Sequence, residues 1–182
     1  MIARVTTLTN HRPMTDHGFT LVELVAVMVI VGVLALTAAP TLRSINNTRA
    51  TMAAKQLLHD LTLARHRAVA TGSRTWVVFD VPGQSWSMLA EDPSNPGRTN
   101  AVAVSDTATG RPFVQMLNSG SYPGVELATV DFDGNVEIGF DWLGCSLGAA
   151  ETPLVVPGLV TMTGNHTVGV AVSTGHITYI TP

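Results

Sequence analysis

One cysteine, Cys145, stands among 182 residues, so no intramolecular disulfide can close and a compact fold must rest on apolar packing. With no partner thiol, Cys145 reads as a small buried apolar residue rather than a nucleophile. Charged residues make up only 13% of the chain against 46% hydrophobic, a globular rather than a disordered balance. Positive charge runs out early. No Lys or Arg follows Arg111, while residues 112–182 hold six acids, Glu126, Asp131, Asp133, Glu137, Asp141 and Glu151. Because neutralising phosphates supplies most non-specific affinity for nucleic acid, an acidic distal half has the wrong sign for a DNA-binding surface. The six histidines, His11, His17, His59, His66, His166 and His176, are scattered, and none stands at metal-ligand spacing from another His or Cys. No spacing of nucleophile, base and orienter marks an enzyme, and no cofactor motif is present.

What the chain does have is a long, predominantly apolar run. Phe19 to Ala39 would span about 31 Å as a helix, close to the roughly 30 Å of a bilayer's hydrocarbon core. One carboxylate, Glu23, lies inside it. An unpaired charge there costs on the order of 2.5–3.5 kcal/mol at mid-bilayer and less near an end, so Glu23 calls for a partner. A cleavable secretory signal would need a small-x-small site after its apolar core, whereas Ala38, Ala39 and Pro40 lead straight into a helix-like segment.

The order Gly18-Phe19-Thr20-Leu21-Val22-Glu23 at the mouth of a spanning-length helix resembles the type IV pilin and pseudopilin superfamily. That resemblance implies a leader, residues 1–18, removed by a prepilin peptidase between Gly18 and Phe19, with the new Phe19 amine methylated. Residues 19–40 would then be a transmembrane helix that becomes the filament core. Glu23 would neutralise the amine of a neighbouring subunit, an attraction strengthened by a low dielectric. Gly32 and Pro40 match the helix-weakening residues of the family; a Gly inside a helix costs about 1 kcal/mol and a Pro removes a backbone donor. A Pro that merely kinks the helix at the membrane surface is the alternative. Basic residues flank the run on both sides, so orientation follows from the resemblance: bacterial inner membrane, single pass, C-terminal domain in the periplasm.

Beyond Pro40, 142 residues suffice for one domain. Residues 41–72 continue as an amphipathic helix, with Ala54, Leu57, Leu58, Leu61, Ala64 and Ala68 on one stripe and Arg49, Lys55, His59, Arg65 and His66 opposite. Gly72 and Ser73 supply a stop. The Arg65-His66-Arg67 run reads as a solvated face or an anionic contact surface. From residue 73 to 182 the period shifts to two. Strands are expected at Arg74–Asp80, Ser85–Ala90, Phe113–Leu117, Val125–Phe132, Val136–Phe140, Leu154–Thr161, Thr167–Val172 and Ile177–Ile180, with a hairpin at Pro82-Gly83 and a loop over Asp92–Asn100. The fold class is α+β: a long N-terminal helix packed on an antiparallel β-rich domain.

Three segments, Leu61-x-x-Ala64-Arg65-x-x-Ala68, Ile138-x-Phe140-Asp141-x-Leu143-Gly144 and Val170-x-Val172-Ser173-Thr174-Gly175-His176-Ile177, are similar to the GspH/FimT group. This implies a minor pseudopilin of a type II secretion pseudopilus, with other pseudopilins or pilins, the prepilin peptidase and the inner-membrane assembly platform as partners. The alternative is a FimT-like minor type IV pilin in pilus biogenesis or DNA uptake. DNA is the less expected partner, since the Gly-Arg-x-Arg of DNA-binding relatives is replaced here by Gly175-His176-Ile177-Thr178. The weak metal candidate is Asp131-x-Asp133-Gly134-Asn135-x-Glu137, whose oxygens suit Ca²⁺ but whose spacing departs from an EF-hand; Asp-Gly between strands is also ordinary hairpin chemistry.

Overall fold

A computed structural model describes the backbone of residues 19–117, 119–120 and 122–181 and, apart from 36–44, their side chains. The chain divides into two compact units, Met1–Thr41 and Leu42–Pro182, and one long helix, α1 (Leu21–Thr71), contributes residues to both.

In the first unit, Thr20 caps the helix: its hydroxyl accepts the Glu23 N–H at 3.3 Å and its carbonyl accepts the Leu24 N–H at 3.1 Å. Around the following turns Val22, Val25, Met28, Val31 and Leu34 are all exposed, so apolar surface faces outward on every side. Among the described residues no helix is long and apolar enough to cross a membrane. The expected span of 19–40 runs past residue 35, where the described side chains of this stretch stop.

In the second unit α1 buries a stripe of Ala50, Ala53, Ala54, Leu57, Leu61, Ala64 and Ala68. Alanines dominate it, which lets the helix backbone come close to the sheets beneath. The first sheet is built on the hairpin of β1 (Thr75–Asp80) and β2 (Ser85–Ala90). Two short strands, β3 (Val102–Ala103) and β4 (Val114–Met116), pair with β2; β6 (Glu137–Phe140) pairs with β1, and β7 (Ser146–Leu147) with β6. The second sheet runs in the order β10 (Ile177–Ile180), β9 (His166–Val170), β8 (Gly158–Met162), β5 (Leu127–Asp131). All pairings are antiparallel.

The core joins helix and sheets through large side chains. Phe79 stacks on Phe132 with ring centres 5.7 Å apart and lies 6.4 Å from Trp86. Phe132 lies over Gly158 so closely that a Cβ there would stand 2.1 Å from its ring, so the ring position depends on glycine. Gln84 ties the β1–β2 turn to the second sheet, its amide oxygen accepting the Leu127 N–H at 2.6 Å and its amide nitrogen donating to the Leu127 carbonyl at 3.3 Å.

The expected strands are present: β2 and β10 keep their expected bounds, β9 is shifted towards the N-terminus, and the others start later or end sooner. The segment expected as a strand from Leu154 becomes β8 only at Gly158, because Pro157, with no N–H to give a ladder, precedes it. Phe113–Leu117 shrinks to β4, and β3 and β7, two residues each, fall below any periodic signal.

Candidate functional site

Gly18, the expected cleavage position, lies outside the described residues, as does the rest of the leader. Phe19 is 80% exposed, and Glu23 occupies the third helical position after Thr20. Thr20-Leu21-Val22-Glu23 therefore has the spacing of a capping box, in which an acid at this position also suits the positive end of the helix dipole. This local role was not read from the sequence, although the T-x-x-E pattern announces it. Gly32 has open space around it, with nothing within 4 Å of a Cβ placed there. Helix α1 is continuous through position 40, and the Pro40 side chain lies outside the described ones.

In the second unit, the three segments that carry the group resemblance converge on one side chain. Arg65 donates from Nε to the Gly144 carbonyl at 2.9 Å and from Nη2 to the Thr174 carbonyl at 3.2 Å. The first loop is wound around Asp141, whose Oδ1 accepts the N–H groups of Leu143 and Cys145 at 2.9 and 2.7 Å. Gly144 and Gly175 both have positive φ, +80° and +60°, and a Cβ on Gly175 would stand 2.2 Å from the Gly144 carbonyl oxygen. Arg65 is thus a clasp holding helix, loop and C-terminal turn together. The expectation of a merely solvated Arg65-His66-Arg67 run is corrected for Arg65, which is half-buried, while His66 and Arg67 are exposed.

A second cluster pins the segment after β2. Arg74 pairs with Glu91 at 3.5 Å and with Glu151, and lies 5.8 Å from the centre of the Trp142 ring. Arg98 forks onto Glu137, with Nη2 2.6 Å from Oε2 and Nε 3.1 Å from both oxygens, while its own N–H reaches Glu151 at 2.7 Å. Every carboxylate here is occupied by a guanidinium or a backbone donor.

The residues of the weak metal candidate are engaged with neighbours in the chain. Glu137 is held by Arg98, and Asp133 accepts the N–H groups of Val155 and Val156 at 2.8 and 3.0 Å. Asp131 accepts the Gly134 N–H at 2.8 Å, and Asn135 donates to the Asp133 carbonyl. Phe132 and Asn135 exchange backbone bonds around Asp133 (φ 53°) and Gly134 (φ 79°), a two-residue turn of the primed type. Among the described residues no group of three His, Cys, Asp or Glu could hold a metal.

Sequence reading missed Asp60. It is buried on the apolar stripe, between Leu57 and Leu61, where it accepts from Trp86 Nε1 at 3.0 Å and Gln56 Nε2 at 2.9 Å. Burial pushes its carboxyl up from the ordinary value, while the two hydrogen bonds pull the other way. His166 is buried too, joined to the Tyr179 hydroxyl and, at 2.8 Å, to Asn47 of α1, which fits a satisfied structural histidine. The Cys145 thiol is half-buried, and desolvation together with Asp141 raises it further from the reactive thiolate.

Residues 13–39 match the family described as the prokaryotic N-terminal methylation motif. The chain also superposes on two structures of the minor pseudopilin EpsH from the type 2 secretion system of Vibrio cholerae, each with a TM-score of 0.53 and 14% identity. The matches cover 74% and 75% of this chain and 96% of the solved chain in both cases. No curated protein matches this chain by sequence. The motif spans Phe19 and Glu23, and the EpsH likeness concerns the fold of the helix-on-sheets head. In this head, the place of the Gly-Arg-x-Arg pattern is taken by Gly175, packed on the Gly144 carbonyl, and by the exposed His176.

Proposed function

We propose that this protein is a minor pseudopilin, a structural subunit of a type II secretion pseudopilus, cut between Gly18 and Phe19, methylated on Phe19 and held in the bacterial inner membrane with its head in the periplasm. The observation that carries this reading is the pairing of a methylation motif over residues 13–39 with a head that shares the EpsH fold. The work is done by packing rather than catalysis. The apolar first helix leaves its side chains uncovered, so a bilayer before assembly and neighbouring helices after it would each remove that surface from water. Glu23 would meet a neighbour's Phe19 amine, and the prepilin peptidase, the assembly platform and the other pseudopilins are the partners. Intact-mass analysis of the chain from membranes tests the first step. The expected species starts at Phe19 and carries one methyl group; a chain beginning elsewhere overturns the assignment. Crosslinking to the other pseudopilins of the system tests the second.

A further inference from the structure

The proposal above leaves open what the head touches, and one turn of the head breaks the usual rules of turn composition. Between β6 and β7 the chain reverses through Asp141-Trp142-Leu143-Gly144, where the Gly144 N–H closes on the Asp141 carbonyl at 2.9 Å and the Asp141 N–H on the Cys145 carbonyl at 3.0 Å. Asp at the first position and a left-handed Gly at the last are ordinary turn chemistry. The two residues between them are not. Trp142 is 50% exposed and Leu143 71%, at positions that turns usually give to small or polar side chains. Exposed apolar surface placed against the local preference calls for something to cover it.

The turn is fixed on every side. Asp141 Oδ1 takes the N–H groups of Leu143 and Cys145, Arg65 takes the Gly144 carbonyl, Gly175 packs on that same carbonyl, and the Arg74 guanidinium lies on the Trp142 ring. A tip already held in one conformation loses little entropy when its side chains are buried, which is what an anchor requires. Beside it lies an open depression of about 400 Å³ with an apolar wall of Val69, Ala70 and Leu143 and a basic wall of Arg65 and His66. Arg65 spends two of its guanidinium N–H groups on the clasp and keeps the rest. In the segments that frame the tip, 65–72, 141–145 and 173–176, the one acid is Asp141, whose Oδ1 is taken by the turn itself, and the exposed titratable side chains are His66, Arg67 and His176. Apolar and basic walls side by side match an anionic amphiphile, acyl carbon against Val69 and Leu143 and phosphate against Arg65. An indole sits best at the level of a bilayer where those two chemistries meet.

We propose that the Trp142–Leu143 tip is a membrane-contact site, which in the unassembled subunit dips into the headgroup layer of a phospholipid bilayer with Arg65 and His66 facing an anionic phosphate. This rests on the pseudopilin reading, which keeps the head near a bilayer. Full-length protein reconstituted into vesicles of phosphatidylglycerol and phosphatidylcholine with brominated acyl chains tests it, because bromine quenches an indole only at short range. Trp76 and Trp86 are buried, so Trp142 is the exposed one of the three tryptophans. Brominated lipid should remove the Trp142 share of the emission. Trp142→Phe should abolish that loss, and Leu143→Asp, which carries a charge into the lipid, should reduce it about tenfold. Vesicles of phosphatidylcholine alone should quench less, since the basic wall then meets no net negative surface. Emission indifferent to bromine overturns the contact, as does a loss that survives in Trp142→Phe. Mass analysis of the protein from cell membranes separates the two readings. A chain that starts at Phe19 but is not quenched overturns the membrane contact and leaves the pseudopilin reading standing; a chain that keeps its leader overturns both.

Discussion

Replacing Arg65 should loosen the head at a predictable scale. Its two guanidinium bonds differ in worth because their acceptors differ in burial. Gly144 is buried, so its carbonyl loses its donor with little water to replace it, at about 1.5–2 kcal/mol; Thr174 is exposed and its carbonyl would be rehydrated at a few tenths. The total is about 2 kcal/mol. For a unit of this size each kcal/mol moves Tm by roughly 2–4 °C, so the loss should read as about 4–8 °C. Arg65→Met is the informative variant, since it keeps the apolar stem that lies along the head and deletes only the donors. Arg65→Lys, with one flexible ammonium in place of a fork, should recover about half. Thermal unfolding of the head from Leu42 onward, followed by circular dichroism, measures all three. A Tm for Arg65→Met within about 1 °C of the parent would show that the clasp contributes nothing and that the convergence of the three segments has another cause.

Asp60→Asn should flatten the pH dependence of stability. Burial raises the native carboxyl above 3.8, so the wild-type head gains from a protonated Asp60 at low pH and loses that contribution as pH rises from about 3.8 through the raised native value; the amide removes this loss while still accepting from Trp86. Denaturant midpoints between pH 3 and 7 check it, and a variant with the same slope as wild type refutes it. Gly175→Ala should destabilise more than an ordinary surface change, by about 1–3 kcal/mol, because a left-handed φ and a 2.2 Å approach to the Gly144 carbonyl act together. Gly18→Arg should accumulate as uncut precursor, seen as a mass increase of the whole leader in the membrane fraction.

Sequence periodicity reached far because both periods are driven by burial. The helical stripe from Ala54 to Ala68 is buried except for Leu58, which packs partly against the core, and the β1–β2 hairpin has its expected bounds to within one residue. What escaped reading has the opposite character. Two-residue strands such as β3 carry no period, and Asp60 looks like a solvated charge until Trp86, twenty-six residues on, presents its indole N–H. Arg65 escaped for the same reason: its partners are backbone carbonyls 79 and 109 residues away, and a carbonyl has no letter in the sequence. Resemblance of the three segments to a known group marked the right places without saying why they go together. The shared clasp supplies that reason.

Glu23 poses the sharpest remaining choice, because two physical accounts both place a carboxylate-bearing side chain there. As the third residue of a capping box it helps begin α1, worth about 1 kcal/mol together with Thr20. As a charge meeting a neighbour's amine it would matter only in the filament. The accounts part over chemistry: a capping box accepts Gln as readily as Glu, whereas an amine needs the charge. An unpaired charge near the end of a membrane helix is also a cost that a cap alone gives no reason to retain. Glu23→Gln should therefore be processed and inserted as wild type but fail to crosslink with its neighbours, while Thr20→Ala should show the reverse, a helix start weaker by about 1 kcal/mol in a chain that still assembles. Membrane abundance of the processed chain and crosslinking yield, measured on the same two variants, separate insertion from assembly. If Glu23→Gln assembles and supports secretion as the parent does, the carboxylate is a helix cap and the neighbour's amine finds its counter-charge elsewhere.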